Sequence, residues 1–313
     1  VTGEDAFSPF DLMLAGAGAA SPWQHDPGTA PVYLPDYPLL ERLLGIPVAA
    51  GAKVVSGRFA RAIDAWLAQE LRRCGFGPEE VWPRPTRPRV LPRELALLLE
   101  RLPAKLADEV RARLPGLPTL APTDARVLGR AYDKQVDVCV ARWERGPELL
   151  VSTKAQLSSF GKNLPNRFEE AYGDAGNLRA RYPLASVGFF FVQRATVRTE
   201  EPDAFERAVD MVRKLRDLGA GYGYTATGLL LVDWDEPTAS RTTSPGQAAS
   251  TTALQVVRVC HEGLPADVAP AQFLTALVDQ VLAVTPVQYH VEVRRRRERR
   301  PIPLPDRDGT SLF

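Results

Sequence analysis

Residues 187–192 read Val-Gly-Phe-Phe-Phe-Val, an apolar run with no polar interruption inside the stretch Leu184–Gln193. A strand with one wet face alternates apolar and polar side chains, so a strand that is apolar at every position has to be covered on both faces. A second such run, Gly-Leu-Leu-Leu-Val, lies within Thr227–Asp233. Between them, Pro202–Leu218 carries Phe205, Val209, Val212 and Leu215 at helical spacing. Two fully covered strands joined by an amphipathic helix demand a sheet between helical layers, which is an α/β fold.

The rest of the chain reads consistently with that frame. Gly57–Cys74 has Phe59, Ile63, Trp66, Leu67 and Leu71 on one helical stripe and stops at Gly75. Leu91–Leu114 predicts two short helices broken around Pro103. Residues 134–143 and 148–155 are strand-like runs flanking the turn Glu-Arg-Gly-Pro, the pattern of a β-hairpin. Leu164–Ala180 predicts a helix whose buried face is Leu164, Phe168, Ala171, Tyr172, Ala175 and Leu178. A weaker strand at Ala253–Cys260, a helix at Pro270–Val284 and an edge strand at Val287–Arg294 follow. The expected organisation is an N-terminal arm over 1–56 with one short helix at Leu39–Leu44, a mixed α/β domain over 57–295 with a helical insertion at about 83–122, and a tail over 296–313.

Composition narrows the function classes. The 313 residues are 45% hydrophobic and 25% charged, ordinary for a globular chain, and no stretch approaches the roughly 20 apolar residues of a membrane span. Val1–Leu12 lacks the basic start and apolar run of a signal peptide. Cys74, Cys139 and Cys260 are odd in number, far apart and set among apolar residues, which predicts reduced thiols in a cytoplasmic protein rather than disulfides. His25, His261 and His290 are equally scattered, so a structural zinc site is not expected. The net charge of +1 does not announce a nucleic-acid partner, but Arg294–Arg300 holds six arginines and one glutamate, a local cluster able to contact phosphates or simply to lie solvated.

Within the hairpin, Asp137 stands in the first run and Lys154 near the end of the second, seventeen residues later. Asp is disfavoured inside strands, so a functional reason for its presence competes with that of a solvated polar face. A carboxylate and an ammonium on neighbouring strands suit phosphodiester hydrolysis, which needs a cation on the scissile phosphate and an activated water. The stretch from Gly129 to Phe191, with its hairpin, helix and apolar strand, resembles the catalytic core of PD-(D/E)xK nucleases, the restriction-endonuclease-like superfamily. The resemblance implies a mixed sheet flanked by helices, with Gly57–Cys74 as the leading helix. It further implies Mg²⁺ as cofactor with Mn²⁺ as substitute, and metal-dependent DNA cleavage of restriction or phage-defence type. DNA and a homodimer are the implied partners, alongside further defence proteins and no membrane.

The chain departs from that family at Ser152, where the pattern has Asp or Glu. In some members the second acid has moved to the following helix, and here Glu169 and Glu170 are the candidates. A helical wheel puts Glu169 on a flank shared with Gly173 and Gly176, and Glu170 and Asp174 on a face with Arg167 and Asn177 that reads as solvated. Asp137 and Glu169 are thus the expected metal ligands, and Asp137, Lys154, Glu169 and Glu170 the candidate catalytic residues. The alternative is that Ser152 marks an inactive nuclease fold serving as a DNA-binding or assembly subunit.

Gln156 follows Lys154 in the strand alternation and points to the same face. Ser158, Ser159, Lys162 and Asn163 precede the helix and are candidates for holding a phosphate, with Asn163 also placed as an ordinary N-cap. Asp64 and Glu70 lie on the leading helix; the resemblance would set an acid of that helix near the metal, although each reads as an exposed acid by itself. Ser152 and Lys154 share a face, but no nucleophile elbow or oxyanion turn accompanies them as a Ser/Lys hydrolase would need. Gly219-Ala-Gly-Tyr-Gly-Tyr lacks a nucleotide-loop ending and reads as a turn able to touch DNA through Tyr222 or Tyr224.

Overall fold

The computed structural model describes residues 5–51, 57–216, 219, 221–235 and 256–299. The N-terminal region contributes α1 (Asp11–Ala15), the two-residue strands β1 (Trp23–Gln24) and β2 (Val32–Tyr33), and α2 (Tyr37–Ala49). Then come α3 (Arg58–Cys74), β3 (Val81–Trp82), α4 (Arg93–Arg101) and α5 (Ala104–Arg113). The centre of the chain supplies β4 (Arg126–Leu128), β5 (Asp133–Gln135), β6 (Val138–Arg142), β7 (Gly146–Gln156) and α6 (Leu164–Arg179). It closes with β8 (Ser186–Arg194), α7 (Val197–Glu200), α8 (Pro202–Leu215), β9 (Ala226–Trp234), β10 (Val257–Cys260), α9 (Pro270–Val284) and α10 (Val291–Glu298).

Six strands form the main sheet in the order β10-β9-β8-β7-β6-β3. Strands β7, β8 and β9 are mutually parallel, and β3, β6 and β10 run antiparallel to their neighbours. The fold is therefore α/β with a mixed sheet flanked by helices. The two apolar runs serve both faces at once. Phe189, Phe191, Leu229 and Leu231 pack toward α6 and α8, while Phe190, Val192, Leu230 and Val232 pack toward α2, α3 and α9. Phe189, Phe190 and Phe191 are fully buried, each contributing about 1.5–3 kcal/mol by leaving water.

Gly228 sits opposite Phe190 on the neighbouring strand, and a Cβ there would lie 2.7 Å from the Phe190 ring and 2.9 Å from Phe273. Gly228→Ala is expected to destabilise the chain by about 1–3 kcal/mol through overpacking. The effect should appear as a lower urea midpoint with an unchanged slope.

Five expectations change. The run 134–143 is not one strand: β5 pairs with β4, β6 pairs with β7, and the chain changes partner at Val136-Asp137. The N-terminal arm does not merely cover the domain, because Phe10, Trp23, Tyr33, Leu39, Leu40 and Leu43 are part of the core beside α3. Val287–Arg294 is no edge strand; its second half begins α10, which extends through Glu298, so the boundary at 296 falls inside a helix.

The arginines of that helix are occupied by protein groups, which is the fourth change. Arg294 donates to the carbonyls of Leu282 and Thr285 at the end of α9, both at 2.7 Å. Arg296 donates to the carbonyls of Ala19 and Arg73, and Arg297 pairs with Asp279 while lying over the Trp23 ring. The cluster is a clamp joining the N-terminal region, α3 and α9, and Arg300 lies outside the described residues. Tyr222 is exposed as expected, whereas Tyr224 is fully buried against Phe189. Residues 1–4, 52–56 and 253–255 of the expected arm and strand, and 300–313 of the expected tail, also lie outside the described residues.

Candidate active site

Asp137 occupies the point where the chain leaves the β4–β5 hairpin and enters the main sheet. Val136 N–H donates to Ala125 and Asp137 N–H to Val151, so the two residues belong to different sheets. The side chain is consequently not part of a regular ladder. Its Oδ2 accepts the Thr153 N–H of β7 at 2.8 Å. Lys154 follows on the same strand.

Thr153 also brings in an acid from the opposite layer. Its hydroxyl donates to Asp64 Oδ1 at 2.7 Å, and Asp64 is only 1% exposed. Two carboxylates thus hold one residue, Asp137 by its amide and Asp64 by its hydroxyl. Burial, then repulsion from Asp137, pushes the Asp64 carboxyl well above the usual range. Burial likewise raises Asp137, against the opposing Thr153 hydrogen bond and the charges of Arg61, Lys154 and Lys134. Asp64 Oδ2 is buried without a hydrogen bond, its nearest counter-charge being Arg61 at 3.6 Å. Arg61 also bonds Asp124 at 2.6 Å.

Lys154 reaches the other face of the sheet, where its Nζ meets Glu170 Oε1 at 3.0 Å. Burial of Glu170 is outweighed by that hydrogen bond and by the charges of Lys154 and Lys134, which together hold its carboxyl below the usual range. The preference for Glu169 over Glu170 is reversed. Glu169 is exposed and takes no part in the contacts around Asp137 and Lys154 among the described residues. The reason lies in what covers α6. Asp174 and Asn177 are buried, contrary to the solvated face expected for them, because the β4–β5 hairpin lies on that side. Asn177 bonds Ala131 and Tyr132, and Asp174 pairs with Lys134 and accepts from Tyr132 at 3.2 Å. Glu170 lies on this arc one turn earlier and, although itself exposed, reaches Lys154, whereas Glu169 is exposed without that contact and Tyr172, expected inside, is exposed.

Asp64 and Glu70 are also buried rather than exposed. The signal was present: Asp64 precedes Leu67, Ala68 and Leu71 by three, four and seven residues, so it lies on the apolar stripe. Glu70 is structural, accepting from Tyr33, Asp36 and Arg73 and so fastening the N-terminal region to α3. Ser152 faces the same side as Lys154, but its hydroxyl is buried without a partner and Lys154 turns to Glu170, so no Ser–Lys hydrogen bond forms.

The loop before α6 is built differently from a phosphate cradle. Gln156 is buried and donates to the carbonyls of Ser159 and Phe160, holding the loop from inside. Ser158, Ser159, Lys162 and Asn163 are exposed, and Asn163 stands at the N-cap without a side-chain capping bond. The N–H groups of Phe160 and Gly161 are already filled by the Glu201 carboxylate, at 2.9 and 2.7 Å. Glu201→Ala should leave both unpaired, costing roughly 1–3 kcal/mol. Faster amide hydrogen exchange at Phe160 and Gly161 is the expected reading.

A hard divalent cation fits the Asp64–Asp137 pair by donor type, since Mg²⁺ takes one or two carboxylates and fills its other positions with water and phosphate. The unpartnered buried Asp64 Oδ2 is the oxygen that such an ion would satisfy. Among the described residues no group of three or more His, Cys, Asp or Glu side chains is disposed to hold a metal by itself, so an ion at this pair would have to complete its shell with water or substrate. No helix among the described residues is long and apolar enough to cross a membrane. Comparison with models of known protein families, with curated proteins and with solved structures finds no match.

Proposed function

We propose that the chain is a divalent-cation-dependent endonuclease of restriction-endonuclease-like architecture that hydrolyses DNA phosphodiester bonds, of restriction or phage-defence type. The observation that carries this reading is the convergence of Asp64 and Asp137 on Thr153, with Lys154 as the next residue. Burial raises both acids, so ionising them in the metal-free chain is costly, and a bound cation would offset that cost.

Mg²⁺ or Mn²⁺, when bound, supplies a Lewis acid for the scissile phosphate and lowers the pKa of a water. The chain's own part is positional and electrostatic. Asp137 and Asp64 provide the oxygen donors, and Thr153 fixes their separation through two hydrogen bonds. Lys154 places its ammonium to stabilise a phosphate oxygen, and Glu170 holds that ammonium in place.

The test is nicking or linearisation of supercoiled plasmid with Mg²⁺ or Mn²⁺. Cleavage should be lost in EDTA and lost in Lys154→Ala, while Lys154→Ala still takes up the metal. A second reading is supported by Ser152, which leaves the strand without the usual second carboxylate: a nuclease-fold subunit that binds DNA without cutting it. DNA binding with no cleavage in either cation would select it. Double-strand cleavage from a one-centre site needs two copies, so a homodimer is expected in sedimentation with DNA present; a monomer throughout would restrict the activity to nicking.

A further inference from the structure

A cavity of about 340 Å³ lies between the loop after β3 and helices α4 and α5, lined by Arg84, Thr86, Arg87, Glu100 and Arg111 over a floor of Ala96 and Leu99. That volume is at the lower end of small-ligand pockets, about 300–1,000 Å³. Its charges are unevenly matched. Arg87 and Arg89 have Asp5, Arg89 also has Asp11, and Arg111 has Asp108. Arg84 has no ion pair with any described carboxylate; one of its nitrogens donates to the Pro88 carbonyl at 3.2 Å and its Nε is buried without a partner.

Behind it stands Arg72 of α3, whose guanidinium reaches the carbonyls of Val81 and Pro83 but no carboxylate, and whose Nε is likewise buried and unpartnered. Burial, then repulsion from Arg84 and Arg89, pushes Arg72 down to about 9. A guanidinium is the side chain least able to give up its proton, and these two neighbours have no ion pair among the described residues, only the more distant attraction of Glu100 and Glu79 on Arg84, so the pair is short of an anion. Glu100 also lines the cavity, is exposed, and attracts Arg84 without forming an ion pair with it. Val81 and Trp82 pair with Val140 and Cys139, so the chain beyond Trp82 runs toward the end of the sheet where Asp137 precedes β6.

We propose that this cavity binds a phosphate group, with Arg84 as the principal contact, Arg111 at the opposite wall and Arg72 supplying charge from behind. The planar guanidinium fork suits phosphate oxygens. The proposal does not rest on the nuclease reading, since it needs neither Asp137 nor a metal. The phosphate can be free or carried on a nucleic-acid backbone, and the two sources are separable by titration.

Calorimetric titrations with inorganic phosphate, pyrophosphate and a short single-stranded DNA, in chloride buffer with EDTA, test it. Saturable binding of at least one probe is expected, weakened about 10- to 100-fold by Arg84→Ala, the loss of a charge-assisted hydrogen bond. Arg111→Ala should weaken it less, and Asp137→Ala should leave it unchanged. Binding of the small anions assigns a free phosphate; Arg84-dependent binding of DNA alone assigns a backbone phosphate. Arg111→Ala alters only an exposed helix and decides the matter if Arg84→Ala fails to fold. No saturable binding of any probe, or binding undiminished in both variants, overturns the proposal.

Discussion

Asp137→Ala is expected to reduce metal-dependent DNA cleavage by about 10³-fold or more while leaving DNA binding unchanged or tighter. The asymmetry follows from where the charge sits. Asp137 stands where the chain passes from the β4–β5 hairpin to β6, with its Oδ2 engaged by the Thr153 N–H. On the proposed reading, removing it takes away a cation ligand and also a negative charge that would repel the incoming phosphate. Among the acids of α6, Glu170→Ala should lower the rate by about 10-fold or more, because it releases the Lys154 ammonium. Glu169→Ala should be neutral, since Lys154 is held by Glu170 and not by Glu169. Initial rates on supercoiled plasmid, beside gel-shift binding in Ca²⁺, read both quantities. Near wild-type cleavage by Asp137→Ala would remove this residue from the chemistry.

Asp64→Asn is expected to make the metal-free protein more stable, by about 1–3 kcal/mol above neutral pH, and at the same time to remove its response to cations. Burial raises the Asp64 carboxyl, with Asp137 adding to the shift, so the folded chain keeps its proton to higher pH than the unfolded chain does. The stability linked to that proton is fully present below the ordinary carboxylate range and is lost as pH rises through the folded value. Asparagine carries no proton to lose and can still accept from the Thr153 hydroxyl. Its advantage should therefore be widest in alkaline EDTA buffer and shrink as pH falls. A binding cation stabilises only the form it binds, so Mg²⁺ or Mn²⁺ should raise the melting temperature of the wild type and close the gap. Equal cation shifts in both proteins, or a lower melting temperature for Asp64→Asn in EDTA at pH 8, would count against Asp64 as a ligand.

What the local sequence determined is the covered centre of the sheet. The apolar runs at 187–192 and 227–233 had to be covered on both faces, and Phe189 to Phe191 and Leu229 to Val232 are indeed divided between two helical layers. The limits of α3, α6 and α9 were legible to within a residue from stripe spacing, because a helix that buries one face shows its period in about three turns. The neighbourhood of Asp137 and Lys154 was legible too, since a hairpin is a local object whose turn sets its register.

The choice between neighbouring acids was not local. Glu169 and Glu170 differ by 100° on a helix, and which side is covered depends on the β4–β5 hairpin, more than thirty residues earlier in the chain. Asp64 becomes part of the site only because α3 lies against Thr153, a contact across 89 residues. The arginines of α10 look like a phosphate-binding cluster in one dimension, yet in three they end on the carbonyls of α3 and α9 and on Asp279. A charged side chain does not carry its partner in its own sequence window; only the packing of distant elements decides whether it meets solvent, a carbonyl or another charge.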